Sequence, residues 1–172
     1  MAFADETLSE RTGRELHEAG LTIACAESCT GGLLTSTLTD MSGSSSYVMG
    51  SIVSYANHVK ARILHVSEET LTVYGAVSEE TAREMAENVR QLIQTDIGVG
   101  ITGIAGPGGG SAEKPVGLVY IAVADHTHTV VRKNNFSGTR IENKQAADEK
   151  PKKRKTKQPK QKNKRQLKKH LP

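Results

Sequence analysis

Residues 21–40, LTIACAESCTGGLLTSTLTD, determine the fold class because they change from a strand pattern to a helix pattern across one turn. Leu21–Cys25 is a short apolar run with the length of a buried strand. Ala26–Thr30 is predicted to turn, and Gly31–Asp40 to continue as a helix entered through that turn. A strand leading directly into a helix is the building unit of α/β folds.

The same alternation continues on both sides of this stretch. Upstream, residues 6–19 are predicted to form a helix, opened by the capping-box spacing of Thr7 and Glu10 and closed by Gly20. Downstream, the pattern predicts a strand over 47–55, short helices over 57–64 and 67–74, a longer helix capped by Ser78, and strands over 96–102, 116–124 and 127–136. The last two strands are expected to pair antiparallel. This order predicts an α/β layered fold with a mixed sheet.

Length and composition favour a single cytoplasmic domain. At 172 residues the chain has room for one domain of ordinary size. No apolar run is long enough to span a membrane, and the acidic first residues do not resemble a secretory signal. Cys25 and Cys29 are too close together to staple a fold and too few for a structural zinc site, which favours reduced thiols.

Charge divides the chain into an acidic body and a basic tail. Residues 150–172 hold 12 of the 23 Lys and Arg residues and none of the 19 Asp and Glu residues. Residues 1–149 therefore carry 11 positive and 19 negative side chains, a net charge of −8. Because the apolar pattern also stops near Gln145, we expect residues 148–172 to be a disordered low-complexity tail.

Three interpretations of the basic tail stay open. A shifted reading frame would explain it, because Lys, Arg, Gln, Asn, Thr and Pro share A- and C-rich codons. An inert solvated extension is the second interpretation. The third is an arm within residues 150–172 that binds polyanions such as nucleic acid.

The motif AESCTGG, residues 26–32, places a hydroxyl at the predicted junction of strand and helix. Unpaired backbone amides at such a junction stabilise an oxyanion or hold a phosphate. Ser28 is therefore a candidate nucleophile, and Cys29 is the alternative. The residues alone equally allow Ser28 or Thr30 to serve only as a helix cap, with Gly31 and Gly32 making the turn.

The motif YANHVK, residues 55–60, supplies a candidate general base in Lys60. A lysine accepts a proton near neutral pH only when burial or neighbouring cations lower its pKa. Most lysines at such positions are solvated, so the motif alone leaves both roles open. His58 and His65 have no metal-ligand residues near them in the sequence, and no metal site is expected.

The glycine-rich segment TGIAGPGGG, residues 102–110, allows backbone amides to approach a phosphate or carboxylate, or merely gives a flexible loop. It is not a Walker A loop, because the Gly-Lys-Ser/Thr ending is missing and Lys114 precedes a proline. A formal G-x-G-x-x-G over residues 98–103 lies inside a predicted strand and does not indicate a dinucleotide site. Arg140, in FSGTR, is either a bidentate ligand for phosphate or carboxylate or an ordinary surface arginine.

Together these segments resemble the CinA C-terminal-domain family, which includes the PncC-type nicotinamide-mononucleotide amidohydrolases. The resemblance covers about residues 5–145 and corresponds to the stand-alone form, without the N-terminal molybdopterin-binding-like domain of many relatives. The matching segments are TIACAESCTGGLL, GSIVSYANHVKARIL, YGAVSEETAREMA and VGITGIAGPGGGSAEKPVGLVYIAVA, followed by FSG-x-R.

The resemblance implies a three-layer α/β/α sandwich with a mixed, mainly parallel sheet. It also implies a homodimer that hydrolyses the carboxamide of nicotinamide mononucleotide to nicotinate mononucleotide and ammonia, without a metal or cofactor. Ser28 would be the nucleophile, Lys60 would take its proton, and Tyr55 would support the lysine or the leaving group. The residues that would bind substrate or stabilise charge are Thr30, Gly31, Thr102, Gly103, Gly106, Gly109 and Arg140.

The sequence departs from the family near its end. Thr139 stands where the family usually has an aspartate, which predicts weaker placement of Arg140. Only Ile141–Ala147 begins the family's last helix, so the domain is expected to span residues 1–147 and to leave part of an apolar sheet face uncovered. An alternative hypothesis is therefore a catalytically silent nucleotide-binding or regulatory module.

Overall fold

The computed structural model describes residues 6–153. The helices are α1 (Leu8–Ala19), α2 (Leu33–Thr39), α3 (Asn57–Arg62), α4 (Glu68–Val73), α5 (Glu79–Ile93) and α6 (Arg140–Lys152), with a 3₁₀ turn at Ser44–Ser46. The strands are β1 (Ile23–Glu27), β2 (Val48–Val53), β3 (Ile97–Gly103), β4 (Leu118–Ala124) and β5 (Thr129–Asn135). Within this part of the chain, no helix combines the length and the apolar composition that crossing a bilayer requires.

The strands form one five-stranded sheet in the order β2-β1-β3-β4-β5. Strand β1 pairs parallel with both β2 and β3. Strand β4 pairs antiparallel with β3 and with β5, so β5 runs in the same direction as the first three strands. The prediction of a mixed sheet is confirmed, with two parallel and two antiparallel pairings, and so is the antiparallel pairing of the last two strands.

Helices cover both faces of the sheet, as expected for three layers. Alternate residues of β1 point to opposite faces. Cys25 joins an apolar cluster with Leu16 of α1 and Leu34 of α2. On the other face, Ala24 packs in a cluster with Met85 of α5. The α/β/α architecture is therefore confirmed.

Two glycines of β3 explain the formal G-x-G-x-x-G pattern. A β-carbon at Gly98 would collide with the carbonyl of Ala86, and one at Gly100 would collide with the carbonyl of Ala82. Both carbonyls belong to α5. The pattern therefore reflects close packing of a helix on the sheet, consistent with its rejection as a dinucleotide motif.

The predicted ends of the helices are confirmed where local capping decides them. Thr7 and Glu10 form the capping box of α1, and Gly20 closes the helix with φ 64°. Ser78 caps α5 by accepting from the amide of Thr81. Strand β1, in contrast, continues to Glu27, two residues beyond the predicted end, because its neighbours β2 and β3 still pair with it there.

The predicted loss of the last helix is wrong. Helix α6 runs to Lys152, well into the segment assigned to the tail, and it buries Asn143, Ala147, Asp148 and Lys152. The ammonium of Lys152 lies 2.6 Å from the carboxylate of Asp148, and both contact the hydroxyl of Thr37 in α2. The sequence predicted a tail here because it lacks an apolar helix face. In the structure, polar side chains that pair with one another form the buried face instead. Residues 154–172, the rest of the predicted tail, lie outside the described residues.

Candidate active site

Ser28 and Lys60 meet in the core although 32 positions separate them in the chain. Ser28 directly follows β1, and its amide donates to the carbonyl of Ile101 in β3. Lys60 lies in α3, with its Nζ 2.9 Å from Ser28 Oγ and 2.7 Å from the carbonyl oxygen of Ser54. The lysine is 1% exposed and the serine 8%. We refer to these two side chains as the Ser–Lys pair.

The surroundings of Lys60 favour its uncharged form. Burial lowers the pKa of Lys60, and the nearby Cys29 thiolate would oppose that shift. Burial also raises the pKa of Cys29 to about 11, so this thiol is uncharged at neutral pH and cannot hold the lysine's proton in place. No carboxylate within residues 6–153 forms a salt bridge with Lys60. The amine is thus set up to accept a proton.

The same burial argues against Cys29 as the nucleophile. A thiol reacts as its thiolate, and a pKa of about 11 leaves little thiolate at neutral pH. Ser28, in contrast, has a base within hydrogen-bonding distance. The geometry therefore favours the serine of the two alternatives that the sequence left open.

Glu27 is a site residue that sequence reasoning missed. Its side chain is fully buried at the end of β1. One carboxylate oxygen accepts from the Thr30 hydroxyl at 2.7 Å and the Leu34 amide at 2.9 Å. The other accepts from the amide of Thr35 at 3.0 Å and from its hydroxyl at 2.7 Å. Glu27 thus caps α2 from outside the helix, since Gly32 at the N-cap position has no side chain.

The sequence did contain a signal that Glu27 is a buried carboxylate held by hydrogen bonds. A carboxylate inside an otherwise apolar strand requires donors when it is buried. Threonines three and eight residues further on, Thr30 and Thr35, supply hydroxyls on the following turn and helix. The hydroxyl of Thr30 is therefore occupied inside the protein and is not a free donor for a ligand.

The turn after Ser28 leaves backbone donors unoccupied. The carbonyl of Ser28 accepts from the amide of Gly31, which has φ 63°. Within residues 6–153, no carbonyl of another residue accepts a hydrogen bond from the amides of Cys29 and Thr30. Two free amides directly after a nucleophile can stabilise the oxyanion of a tetrahedral intermediate.

The predicted binding residues of the glycine-rich loop lie in different surroundings. The hydroxyl of Thr102 donates to the carbonyl of Ala76 at 2.7 Å and is buried. Gly103 ends β3, where a β-carbon would lie 2.6 Å from the carbonyl of Leu118. Gly109 is exposed, with φ 86°. Gly106 differs from these because its carbonyl accepts a hydrogen bond from Arg140 at 2.6 Å.

Arg140 joins the loop to Tyr55. One of its guanidinium nitrogens donates to the carbonyl of Gly106, and the other lies 2.9 Å from the Tyr55 hydroxyl. The resemblance implied that Tyr55 contacts the lysine or the leaving group, whereas its observed partner is Arg140. Thr139 forms a capping box with Glu142 at the start of α6. The threonine that stands in place of the family aspartate therefore holds the start of the helix that carries Arg140.

Metal-ligand residues do not gather at this site. Across residues 6–153, no three His, Cys, Asp or Glu side chains come close enough together to hold a metal ion. His58 lies in α3, and His65 follows that helix with φ 56°.

Comparisons with known proteins agree with this fold. The sequence-family model of the CinA C-terminal domain matches residues 5–151 of this chain, a range that includes most of α6. A CinA-like protein of Endomicrobium trichonymphae is 52% identical over 138 residues, which are 80% of this chain and 32% of that protein. A CinA-like protein of Prochlorococcus marinus (strain AS9601) is 52% identical over 137 residues, 79% of this chain and 32% of that protein. The chain thus spans about a third of the length of these curated relatives.

A solved structure extends the agreement to three dimensions. The crystal structure of the competence/damage inducible protein CihA from Agrobacterium tumefaciens is 40% identical, with a TM-score of 0.82. The match covers 84% of this chain and 89% of that one.

Proposed function

The chain belongs to the CinA C-terminal domain family, and from the geometry of its site we propose that it hydrolyses the carboxamide of nicotinamide mononucleotide. The products would be nicotinate mononucleotide and ammonia. The observation that carries this proposal is the buried Ser–Lys pair, with 2.9 Å between Lys60 Nζ and Ser28 Oγ. The resemblance to the PncC-type amidohydrolases supports the choice of substrate.

The first half-reaction forms an ester on Ser28. Uncharged Lys60 accepts the serine proton while Oγ attacks the carboxamide carbon. The free amides of Cys29 and Thr30 stabilise the negative charge that develops on the carboxamide oxygen. Protonated Lys60 then gives its proton to the amide nitrogen, the carbon–nitrogen bond breaks, and ammonia leaves.

The second half-reaction returns the enzyme to its starting state. Lys60 takes a proton from a water molecule as that water attacks the ester carbon. The bond between the carbonyl carbon and Ser28 Oγ then breaks, and Lys60 returns the proton to the serine. The Ser54 carbonyl, 2.7 Å from Nζ, orients the amine throughout. The pyridinium ring of the substrate withdraws electrons from the carboxamide and so favours both attacks.

Ammonia release from nicotinamide mononucleotide tests the proposal. Ser28→Ala and Lys60→Met should each lower kcat by on the order of 10³-fold or more, because each removes a partner of the same proton transfer. Ser45→Ala and Lys150→Met, both at exposed positions, are the matched controls and should retain parent activity. Nucleotide binding by the parent without ammonia release would instead support the silent binding module.

The resemblance also supports two further properties that we propose for the chain, a homodimeric state and a cytoplasmic location. Light scattering of the purified protein measures its mass in solution, and cell fractionation measures its location. A monomer at all concentrations, or recovery with membranes, would contradict these proposals.

A further inference from the structure

Helix α6 carries two cations one turn apart, and their surroundings differ. The guanidinium of Arg140 is held by the Gly106 carbonyl and by the Tyr55 hydroxyl. It therefore fixes one element of the site against another. An arginine used in this way is a positioning residue, with fewer donors left for a ligand.

Lys144 lies one turn further along α6 and is half-buried. Within residues 6–153 it forms no salt bridge or side-chain hydrogen bond. The carboxylate of Asp148, four residues on, is bound by Lys152 at 2.6 Å. The ammonium of Lys144 therefore retains all three of its donors.

The amine of Lys144 points at the turn that follows the nucleophile. It lies 3.9 Å from the position that a β-carbon on Gly31 would occupy. The Gly31 amide donates to the carbonyl of Ser28, so this turn is continuous with the Ser–Lys pair.

An unpaired, half-buried ammonium beside an exposed glycine has room and charge for an anion. Gly31 has no side chain to occupy the space above the turn, and its φ of 63° favours glycine there. The anion of the proposed substrate is a phosphate, at the opposite end of the nucleotide from the carboxamide.

We propose that Lys144 binds the 5′-phosphate of the nucleotide substrate, while Arg140 positions Tyr55 and the Gly106 loop. The identity of the phosphate as that of a pyridine mononucleotide rests on the proposed function. A lysine in this role selects for phosphorylated substrates, because a riboside leaves its ammonium without a partner.

Comparison of two substrates isolates the phosphate contact. In Lys144→Met, the KM for nicotinamide mononucleotide should rise by about 10- to 100-fold, the range expected for losing a charged hydrogen bond. The kcat should stay within about threefold, since the reacting atoms are untouched. Turnover of nicotinamide riboside should be the same in the variant and the parent. Lys144→Arg should recover most of the affinity, and Lys150→Met is the matched control on the same helix.

Binding measurements separate this proposal from the proposed activity. Calorimetry with nicotinate mononucleotide should give a Kd about 10- to 100-fold higher for Lys144→Met than for the parent. A parent that releases no ammonia overturns the proposed reaction, and the Kd comparison still decides the role of Lys144. Equal Kd values, no binding by the parent, or an equal loss of riboside turnover would overturn the role of Lys144.

Discussion

Replacing Glu27 by glutamine is the most informative single change in this molecule, because it removes one charge and alters almost no volume. The carboxylate accepts four hydrogen bonds, two on each oxygen. On each oxygen, one donor is a backbone amide and the other a hydroxyl. A hydroxyl can rotate and accept from the new amide group, but a backbone N–H cannot change its role.

The cost of Glu27→Gln follows from this count. Glutamine keeps one oxygen and presents an NH₂ group where the other oxygen was. One backbone amide, that of Leu34 or Thr35, then faces a donor and loses its partner. A buried donor without a partner costs about 1–3 kcal/mol. We therefore expect a loss of about 2 kcal/mol in the free energy of unfolding, or roughly 4–8 °C in Tm for a domain of this size.

In Glu27→Gln, the loss of activity, expressed as a free energy, should exceed the loss in the free energy of unfolding. Glu27 fixes the hydroxyl of Thr30 and the start of α2, and so the turn that presents the free amides after Ser28. Loss of one oxyanion donor costs about 10²–10³-fold in kcat, and a shifted turn should cost a comparable amount. The KM should change little, since the substrate does not contact Glu27 in the proposed complex.

Thermal melting and ammonia release, measured on the same preparations, test both expectations. Glu10→Gln is the matched control, because Glu10 also caps a helix but is only half-buried and contacts the cap residue of its own helix, Thr7. It should lower Tm only slightly and leave kcat unchanged. A Glu27→Gln protein with the Tm and kcat of the parent would refute this account of the carboxylate.

Four further predictions concern the lysine, the last helix and the packing of the sheet. Because burial lowers the pKa of Lys60, kcat/KM should rise with pH through an inflection below the ordinary lysine value of 10.5, measured by initial rates. The same shift makes the unfolded chain bind more protons between the two pKa values, so the stability of the parent should rise with pH in that range, and the inactive Lys60→Met variant should lack this rise. Asp148→Ala leaves Lys152 buried without its partner and should lower the free energy of unfolding by about 3–5 kcal/mol, measured by denaturant titration. The double variant Asp148→Leu with Lys152→Met should recover most of that stability, because it removes both charges. Gly100→Ala should lower the free energy of unfolding by about 1–3 kcal/mol, because its β-carbon would collide with α5. Gly108→Ala is the control, because a β-carbon there would have nothing within 4 Å. An equal loss of stability in both variants would contradict this explanation.

Local signals predicted the helices and strands well because local physics decides them. The capping box at Thr7 and the cap at Ser78 need only neighbours in the sequence, and both helices begin as predicted. The fold class followed from the alternation of strand and helix patterns. The ends of β1 were less predictable, since pairing with β2 and β3 extends it to Glu27.

The end of the chain shows where sequence patterns fail. Helix prediction relied on an apolar stripe, and α6 has almost none beyond Ala147. Its buried face is satisfied by contacts distant in sequence, including Thr37 with Asp148 and Lys152. The side-chain amide of Asn143 likewise donates to the carbonyls of Ala105 and Gly138. Such pairs are invisible until the fold brings them together.

Sequence patterns alone also could not show that Ser28 and Lys60 are in contact. The motifs offered Ser28 as a nucleophile or a cap and Lys60 as a base or a solvated lysine, and only the resemblance joined them. Their 2.9 Å separation depends on the parallel pairing of β1 and β2, which carries the segment after β2 past the end of β1. Lys144 gives no signal in the sequence, because the glycine turn beside it belongs to another part of the chain.

The placement of carboxylates connects the fold to the proposed chemistry. A lysine beside a free carboxylate would keep its proton at neutral pH and could not accept one from Ser28. Glu27, which directly precedes Ser28, forms no salt bridge with Lys60 within residues 6–153. Its carboxylate is instead saturated by four donors from Thr30 and the start of α2. The four hydrogen bonds that order the turn after Ser28 therefore also occupy the acid next to the nucleophile, while burial lowers the pKa of Lys60.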